Sequence, residues 1–315
     1  MSFDTLLGND RLKQNLAESL AKNRISHFYL ISGPKGSGKH TLAHILASAI
    51  FCQGRGKPCG VCDACRKLKT GNHPDFITVE DPEHKNVAVK IVRAFREDVF
   101  VLPNESDHKI YLFPQDLGVE GQNALLKILE EPPAYGVFLL LTDNPEKILP
   151  TVRSRCTELK LLPLPQDTLM RYLSARFPQA QRQDLEAAAM RSGGFLGQAL
   201  ELLESGSALP PQTEGLFQAL CAKDPLQLTQ VLAPMEKWKR DALIPMLESW
   251  LELTGEALAC RSGGQTVSPL ARTLGQSRTA GELHTIHGHL KKALDYASSN
   301  VSPAAVCGWL TWALR

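Results

Sequence analysis

The 315-residue chain has almost no net charge. Its 35 Lys and Arg stand against 33 Asp and Glu, leaving +2 with histidine neutral. This excludes a polycation that coats nucleic acid through bulk charge; any such contact would need a local basic face. Long apolar runs are missing too. None approaches the ~20 residues that a membrane helix needs, and "MSFDTLLGND" has no basic segment leading into an apolar stretch. Neither a membrane span nor a secretory leader is expected. Tandem repeats and long low-complexity runs are also absent. A cytoplasmic chain is therefore the default expectation, in which the eight cysteines read as thiols or metal ligands rather than disulfides. What remains is ordinary for a globular protein: 43% hydrophobic and 22% charged residues, and a length that suggests two or three domains.

The first half alternates helical and extended patterns. "DRLKQNLAESLAKN" (10–23) places Leu12, Leu16 and Leu20 on one helical face. "HFYLIS" (27–32), "DFITVE" (75–80), "KIYLF" (109–113), "GVFLLLT" (136–142) and "CTELKLL" (156–162) read as strands. Between them lie helical segments, including "KHTLAHILASAIFC", "VKIVRAFREDVF" and "GQNALLKILEE", the last stopped by Pro132-Pro133. Alternation of this kind predicts an α/β fold, a parallel sheet with helices on both faces. "PLPQD" (163–167) marks a boundary, a short helical unit follows to about residue 203, and "SGSALPPQTEG" (205–215) reads as a linker. Beyond it everything is helical apart from "RSGGQTVSP" (261–269). The expected domains are 1–162, 163–205 and 206–315.

"GPKGSGKHTLA" (33–43) has the glycines and lysine of a phosphate-binding loop, between a strand and a helix. Gly33, Gly36 and Gly38 let backbone approach phosphate, amides at the helix start face the anion, and Lys39 adds a point charge. After that lysine the pattern requires a hydroxyl for Mg²⁺. His40 stands there instead and offers nitrogen to an ion that prefers oxygen. Thr41 is turned by roughly 100° around the helix and is a poor replacement. ATP or ADP binding by this loop is left open. Hydrolysis would also need acids at the end of a neighbouring strand. After "KIYLF" come Pro114 and Gln115, neither of which can serve as a carboxylate, while Asp116 reads as a loop or helix-start residue. Two separate metal and catalytic elements are degraded, which argues against ATP hydrolysis by this chain alone.

"CQGRGKPCGVCDAC" holds Cys52, Cys59, Cys62 and Cys65 in two overlapping C-x-x-C steps. Four thiols at this spacing point to a closed, structural Zn²⁺ site; an iron–sulfur cluster or free thiols are the competing readings. Arg55, Lys57, Arg66, Lys67 and Lys69 make the surroundings basic, which reads first as a solvated face and second as a DNA or subunit contact. The scattered Cys156, Cys221, Cys260 and Cys307 read as small buried apolar residues.

"FDTLLGNDRLKQNL", "RISHFYLISGPKGSGK", "NHPDFITVE", "NALLKILEEPP" and "LPTVRSRC" together resemble the bacterial clamp-loader family of AAA+ proteins, in family order from Phe3 to Cys156. The resemblance implies a P-loop domain with a zinc module at about 52–65, a helical lid and an all-α collar that joins subunits. It implies a part in a ring that loads a sliding clamp on primed DNA, alongside ATPase subunits and a delta subunit of the DNA polymerase III assembly. In this family the arginine of "SRC", here Arg155, reaches the nucleotide of an adjacent subunit as a finger in trans. ATPase members keep a complete loop and paired acids, and a sensing arginine in the lid where Gly197 stands here; non-hydrolysing members lose them. Thr142 best matches the sensor position at the end of the fourth strand. The losses favour the non-hydrolysing kind. The alternatives are an ATP-hydrolysing subunit of the same loader and a free-standing zinc-dependent nucleic-acid binder.

Overall fold

The computed structural model describes residues 3–54, 56–82, 87–204, 210–264, 268–299 and 301–315, with the side chain of Asp4 excepted. Arg55, residues 205–209 of the expected linker and residues 265–267 of the expected break lie outside that set. The chain divides into two compact units, Met1–Ser205 and Gly206–Arg315.

In the first unit, helix α1 (Asp10–Ala21) precedes strand β1 (Phe28–Ser32) and helix α2 (Lys39–Phe51). Then come α3 (Asp63–Lys69), β2 (Phe76–Thr78), α4 (Val89–Asp98), β3 (Lys109–Phe113), α5 (Val119–Glu130), β4 (Gly136–Thr142), α6 (Pro150–Arg153) and β5 (Thr157–Lys160). The five strands form one parallel sheet in the order β2-β3-β4-β1-β5. Every residue of β1, β3 and β4 is buried, as expected of central strands covered on both faces. The edge strands β2 and β5 are shorter than their sequence patterns suggest, because only a central strand has neighbours on both sides to bury it.

Alternation along β1 sends Tyr29 and Ile31 into one layer with Leu16, Leu42 and Leu46, and Phe28 and Leu30 into the other with Val92, Phe95 and Leu125. Across the second face Phe28 stacks on Phe138 at 4.3 Å, Tyr111 on Phe138 at 5.4 Å, and Phe95 meets Tyr111, Phe113 and Phe138 edge-on. Truncating a fully buried ring such as Phe138 to alanine costs about 3–5 kcal/mol. Between β4 and β5 the chain returns to flank β1 on both sides, so the loop leaving β1 opens where neighbouring connections diverge, the usual place for a ligand in such sheets.

Helices α7 (Gln166–Arg176), α8 (Arg182–Arg191) and α9 (Leu196–Glu204) complete this unit around a small core of Leu169, Leu173, Leu185, Ala189 and Ala199. The second unit contains α10 (Pro211–Ala222), α11 (Pro225–Leu232), α12 (Arg240–Arg261), α13 (Pro269–Ser277), α14 (Ala280–Ser298) and α15 (Pro303–Ala313). Trp250 of α12 is fully buried at its centre, and its indole N–H donates to Thr213 at 2.9 Å. Helix α14 starts in a capping box: Thr279 and Glu282 satisfy each other's backbone amides at 2.9 and 3.3 Å. Among the described residues no helix is long and apolar enough to cross a membrane.

Cys307 is buried as expected, but Cys156, Cys221 and Cys260 are only half-buried. Cys156 and Cys221 pack against the margins of their cores.

Candidate functional site

The glycine loop runs from β1 into α2. Gly36 and Gly38 have φ of 76° and 94°, left-handed values that favour glycine. Gly33, Gly36, Gly38, Lys39, His40 and Thr41 are gathered here as the sequence suggests. All but Gly33 line a cavity of about 310 Å³ that Leu6, Leu164 and Phe195 also border.

Lys39 does not point into open space. Its ammonium donates to the carbonyls of Gly33 at 2.7 Å and Pro34 at 3.0 Å, and pairs with Asp143 at 2.6 Å. The residue is 8% exposed. Asp143 carried no signal in the sequence, since it becomes a neighbour only because β4 lies beside β1. Partial desolvation, and then the Lys39 ammonium, lower the pKa of His40 and favour neutral imidazole, with Asp143 and Glu80 opposing.

Neither Gln115 nor Asp116, the polar residues that follow β3, lines the cavity at the loop. The Gln115 amide is bonded to the backbone of Asp81, accepting from its N–H at 2.8 Å and donating to its carbonyl at 2.9 Å. Asp116 lies just before α5, 3.0 Å from the Thr142 hydroxyl and 3.5 Å from the Lys147 ammonium. Thr142 is buried and also accepts from the Asn144 amide at 3.2 Å.

The mouth of the loop is covered by the start of α9. The Gly197 amide donates to the Gly36 carbonyl at 2.9 Å. A Cβ on Gly197 would lie 2.6 Å from the Gly36 Cα, and one on Gly36 would lie 2.5 Å from the Gln198 nitrogen. Both positions admit only glycine while these segments stay in contact. Lys35 and Glu201 add an exposed ion pair at 2.8 Å.

Arg155 lies elsewhere, between α6 and β5, and does not line this cavity. Its guanidinium donates to the Thr151 carbonyl at 2.9 Å and approaches Glu130 at 3.4 Å, with 40% of the side chain exposed.

The four cysteines converge as their spacing implies. The sulfurs of Cys52, Cys59, Cys62 and Cys65 all lie within 4.8 Å of one another; a tetrahedral ion with ~2.3 Å bonds to sulfur needs about 3.8 Å. Backbone amides already serve these sulfurs: Cys59 N–H points at the Cys52 sulfur at 3.2 Å, and Cys62 N–H at that of Cys59 at 3.4 Å. The Val61 and Cys62 amides lower the Cys59 thiol to about 6. Burial opposes ionisation of Cys62, yet the Cys65 and Gln53 amides prevail and its pKa falls. Burial pushes Cys52 up to about 12. Gly54 has no room for a side chain, since a Cβ would stand 2.8 Å from the Cys59 sulfur. The donor set fits a metal ion. Of the basic residues around it, Lys67 pairs with Asp63 at 3.2 Å and with Glu105, and Arg66 reaches Asp63 at 3.5 Å.

A second cluster, not foreseen from the sequence, ties this excursion to the sheet. Asp75 is fully buried, and its carboxylate accepts from the amides of Asn104, Glu105 and Ser106, the last two at 2.9 Å. Those bonds outweigh burial and lower its pKa. His73 stacks on Phe51 at 3.9 Å, one residue before Cys52.

A parallel sheet in which the buried strand β1 leads through a glycine-rich loop into a helix, closed over by a helical segment, defines an α/β protein of the phosphate-loop class. Residues 8–165, half of the chain, match the family described as DNA polymerase III, delta subunit. The chain is 31% identical over 268 residues to DNA polymerase III subunit tau of Escherichia coli (strain K12), across 81% of this chain and 39% of that protein. It is 36% identical over 157 residues to DNA polymerase III subunit delta' of Bacillus subtilis (strain 168), across 49% of this chain and 47% of that one. It thus spans less than half the length of these curated relatives. A DNA polymerase III gamma subunit-related protein from Thermotoga maritima overlays 96% of this chain and 98% of its own at 15% identity, with a TM-score of 0.46. The chain belongs to the DNA polymerase III clamp-loader family.

Proposed function

We propose that this chain is a non-hydrolysing, delta-prime-like subunit of the DNA polymerase III clamp loader. Its work is cytoplasmic, in the ring that loads a sliding clamp on primed DNA, beside ATPase subunits and a delta subunit. The observation that carries this reading is the Gly36–Gly197 contact. The family resemblance places a sensing arginine at position 197, and here the backbone leaves no room for any side chain. The engagement of Lys39 by its own loop and by Asp143 supports the same reading, as does Gln115 where a carboxylate is required. We assign residues 163–205 as the lid and 206–315 as the collar.

Arg155 is the residue proposed to act on chemistry, and on a neighbour's nucleotide. It is exposed and offers a planar, cationic fork to a developing phosphoryl charge. Cys52, Cys59, Cys62 and Cys65 would hold Zn²⁺, which when bound supplies cross-linking and no open coordination position. The alternative, an ATP-hydrolysing subunit, draws support from the tau relative and from the intact glycines and lysine.

One reconstitution tests these readings. Arg155→Ala should leave the fold intact and lower the ATPase rate of the assembled loader by roughly 10³-fold at that site. An unchanged rate removes the trans role, and clear Mg²⁺-dependent turnover by the isolated chain favours the alternative.

A further inference from the structure

We propose that the free edge of β5 is a docking site for an extended acidic peptide segment of a partner protein, which pairs there as a sixth strand. Beside β1 the ladder alternates. The Leu161 N–H donates to the Ser32 carbonyl at 2.9 Å, so residues 157, 159 and 161 face β1 and the backbone groups of Glu158, Lys160 and Leu162 face outward. At Leu162 both outward groups are already satisfied, and by a surrogate. The Asn9 side-chain oxygen accepts from the Leu162 N–H at 2.9 Å, and its NH₂ donates to the Leu162 carbonyl at 3.3 Å. A side-chain amide has the donor and acceptor of a peptide group, so Asn9 forms one rung of a missing strand. Asn9 itself is held at φ 53°. The next two rungs, at Glu158 and Lys160, have no backbone partner on that side among the described residues.

A groove of about 580 Å³ runs along these rungs between β5 and α1. Its floor is apolar, with Leu12, Leu16 and Leu159. Its charge is lopsided once internal pairs are removed. Asp10 is paired with Lys13 at 2.7 Å and Glu158 with Arg153 at 3.3 Å. Arg11, Arg24 and Lys160 line the groove and have no ion-pair partner among the described residues.

By alternation Leu159 faces α1 and Lys160 the opposite face of the sheet, so a sixth strand that alternates would lay apolar side chains on the floor, flanked by Arg11 and Arg24, and acidic ones beside Lys160. Nucleic acid fits less well. Phosphates would meet the cations but also the outward carbonyls of Glu158 and Lys160, which are acceptors like themselves. The open stretch of β5 spans ~13 Å, enough for a short segment rather than a folded domain.

Fluorescence anisotropy with the full chain tests this. The probes are a fluorescein-labelled seven-residue peptide alternating Glu and Val, its Lys-for-Glu counterpart, two versions of the acidic peptide N-methylated on one or the other alternate set, and an oligothymidylate. The acidic peptide should bind, and Arg11→Glu with Lys160→Glu should weaken it by about tenfold or more. These residues are exposed, and unchanged circular dichroism should accompany the loss. N-methylation of one alternate set should abolish binding while the other set is tolerated, since a strand offers only alternate amides to one edge. The proposal is overturned if the acidic peptide fails to bind at ~1 mM, a concentration that detects even a weak site. It is equally overturned if charge reversal has no effect, if both methylated peptides bind alike, or if the Lys peptide or oligothymidylate binds as well as the acidic one.

Discussion

Gly197 and Gly36 meet backbone to backbone, joined by one hydrogen bond of 2.9 Å and separated by less than the width of a methyl group. Together with the exposed Lys35–Glu201 pair, this contact joins the cover of the loop to the loop. Gly197→Ala should therefore force the two segments apart, lowering stability by about 1–3 kcal/mol as overpacking does elsewhere. Urea unfolding would measure it. If the substitution is neutral, the cover moves freely and the contact is not a close-packed one.

Lys39 offers a second test, because its three acceptors belong to its own chain. We expect Lys39→Ala to destabilise the nucleotide-free protein by about 1–3 kcal/mol, through buried carbonyls left unpaired. Asp143→Asn should cost less than ~1 kcal/mol, since 59% of the Asp143 side chain is exposed and solvent screens the pair. A Lys39→Ala protein as stable as the parent would show that the lysine serves only a ligand.

The cysteine cluster predicts one Zn²⁺ per chain by elemental analysis of protein purified without added metal. Cys59→Ser combined with Cys62→Ser should abolish it, and strong chelation should lower the thermal midpoint of the parent but not of the variant. Iron, or no metal at all, would refute the assignment.

Glu282 sets a pH dependence in the second unit. The Lys223 ammonium, the Thr279 amide and hydroxyl, and Arg278 lower its pKa from 4.5 to about 2. A carboxyl lowered on folding stabilises above its unfolded pKa, and that contribution disappears as pH falls through the folded one. Its loss should therefore run from about pH 4.5 down to about 2. The Glu282→Gln variant should show a shallower decline of stability across that window than the parent. Parallel declines would mean that the cap carries no pH-dependent stability.

Much of the sheet was legible because central strands write themselves as unbroken apolar runs. "KIYLF" and "GVFLLLT" mark β3 and β4 with the ends they have in the fold. The sequence patterns overrun both edge strands, since a pattern of side chains does not say where a neighbour stops. The four metal-type cysteines were legible for a different reason: their geometry is local, set within fourteen residues. Asp143 and the bonds of Gln115 were not, because they depend on which strands lie side by side. The Gly36–Gly197 contact joins positions 161 residues apart, and nothing near either glycine reveals it.

Asp75 lies where the chain enters β2 after the cysteine excursion. Its carboxylate gathers the amides of residues 104–106, Glu105 in turn holds Lys67 on α3, and His73 lies flat on Phe51 at the end of α2. The cysteine excursion is thus braced at both its departure and its return, like a buttress set into the wall it supports. Disturbance at the thiols should travel as a mechanical load to the margin of the sheet, and leave the glycine loop at its centre undisturbed.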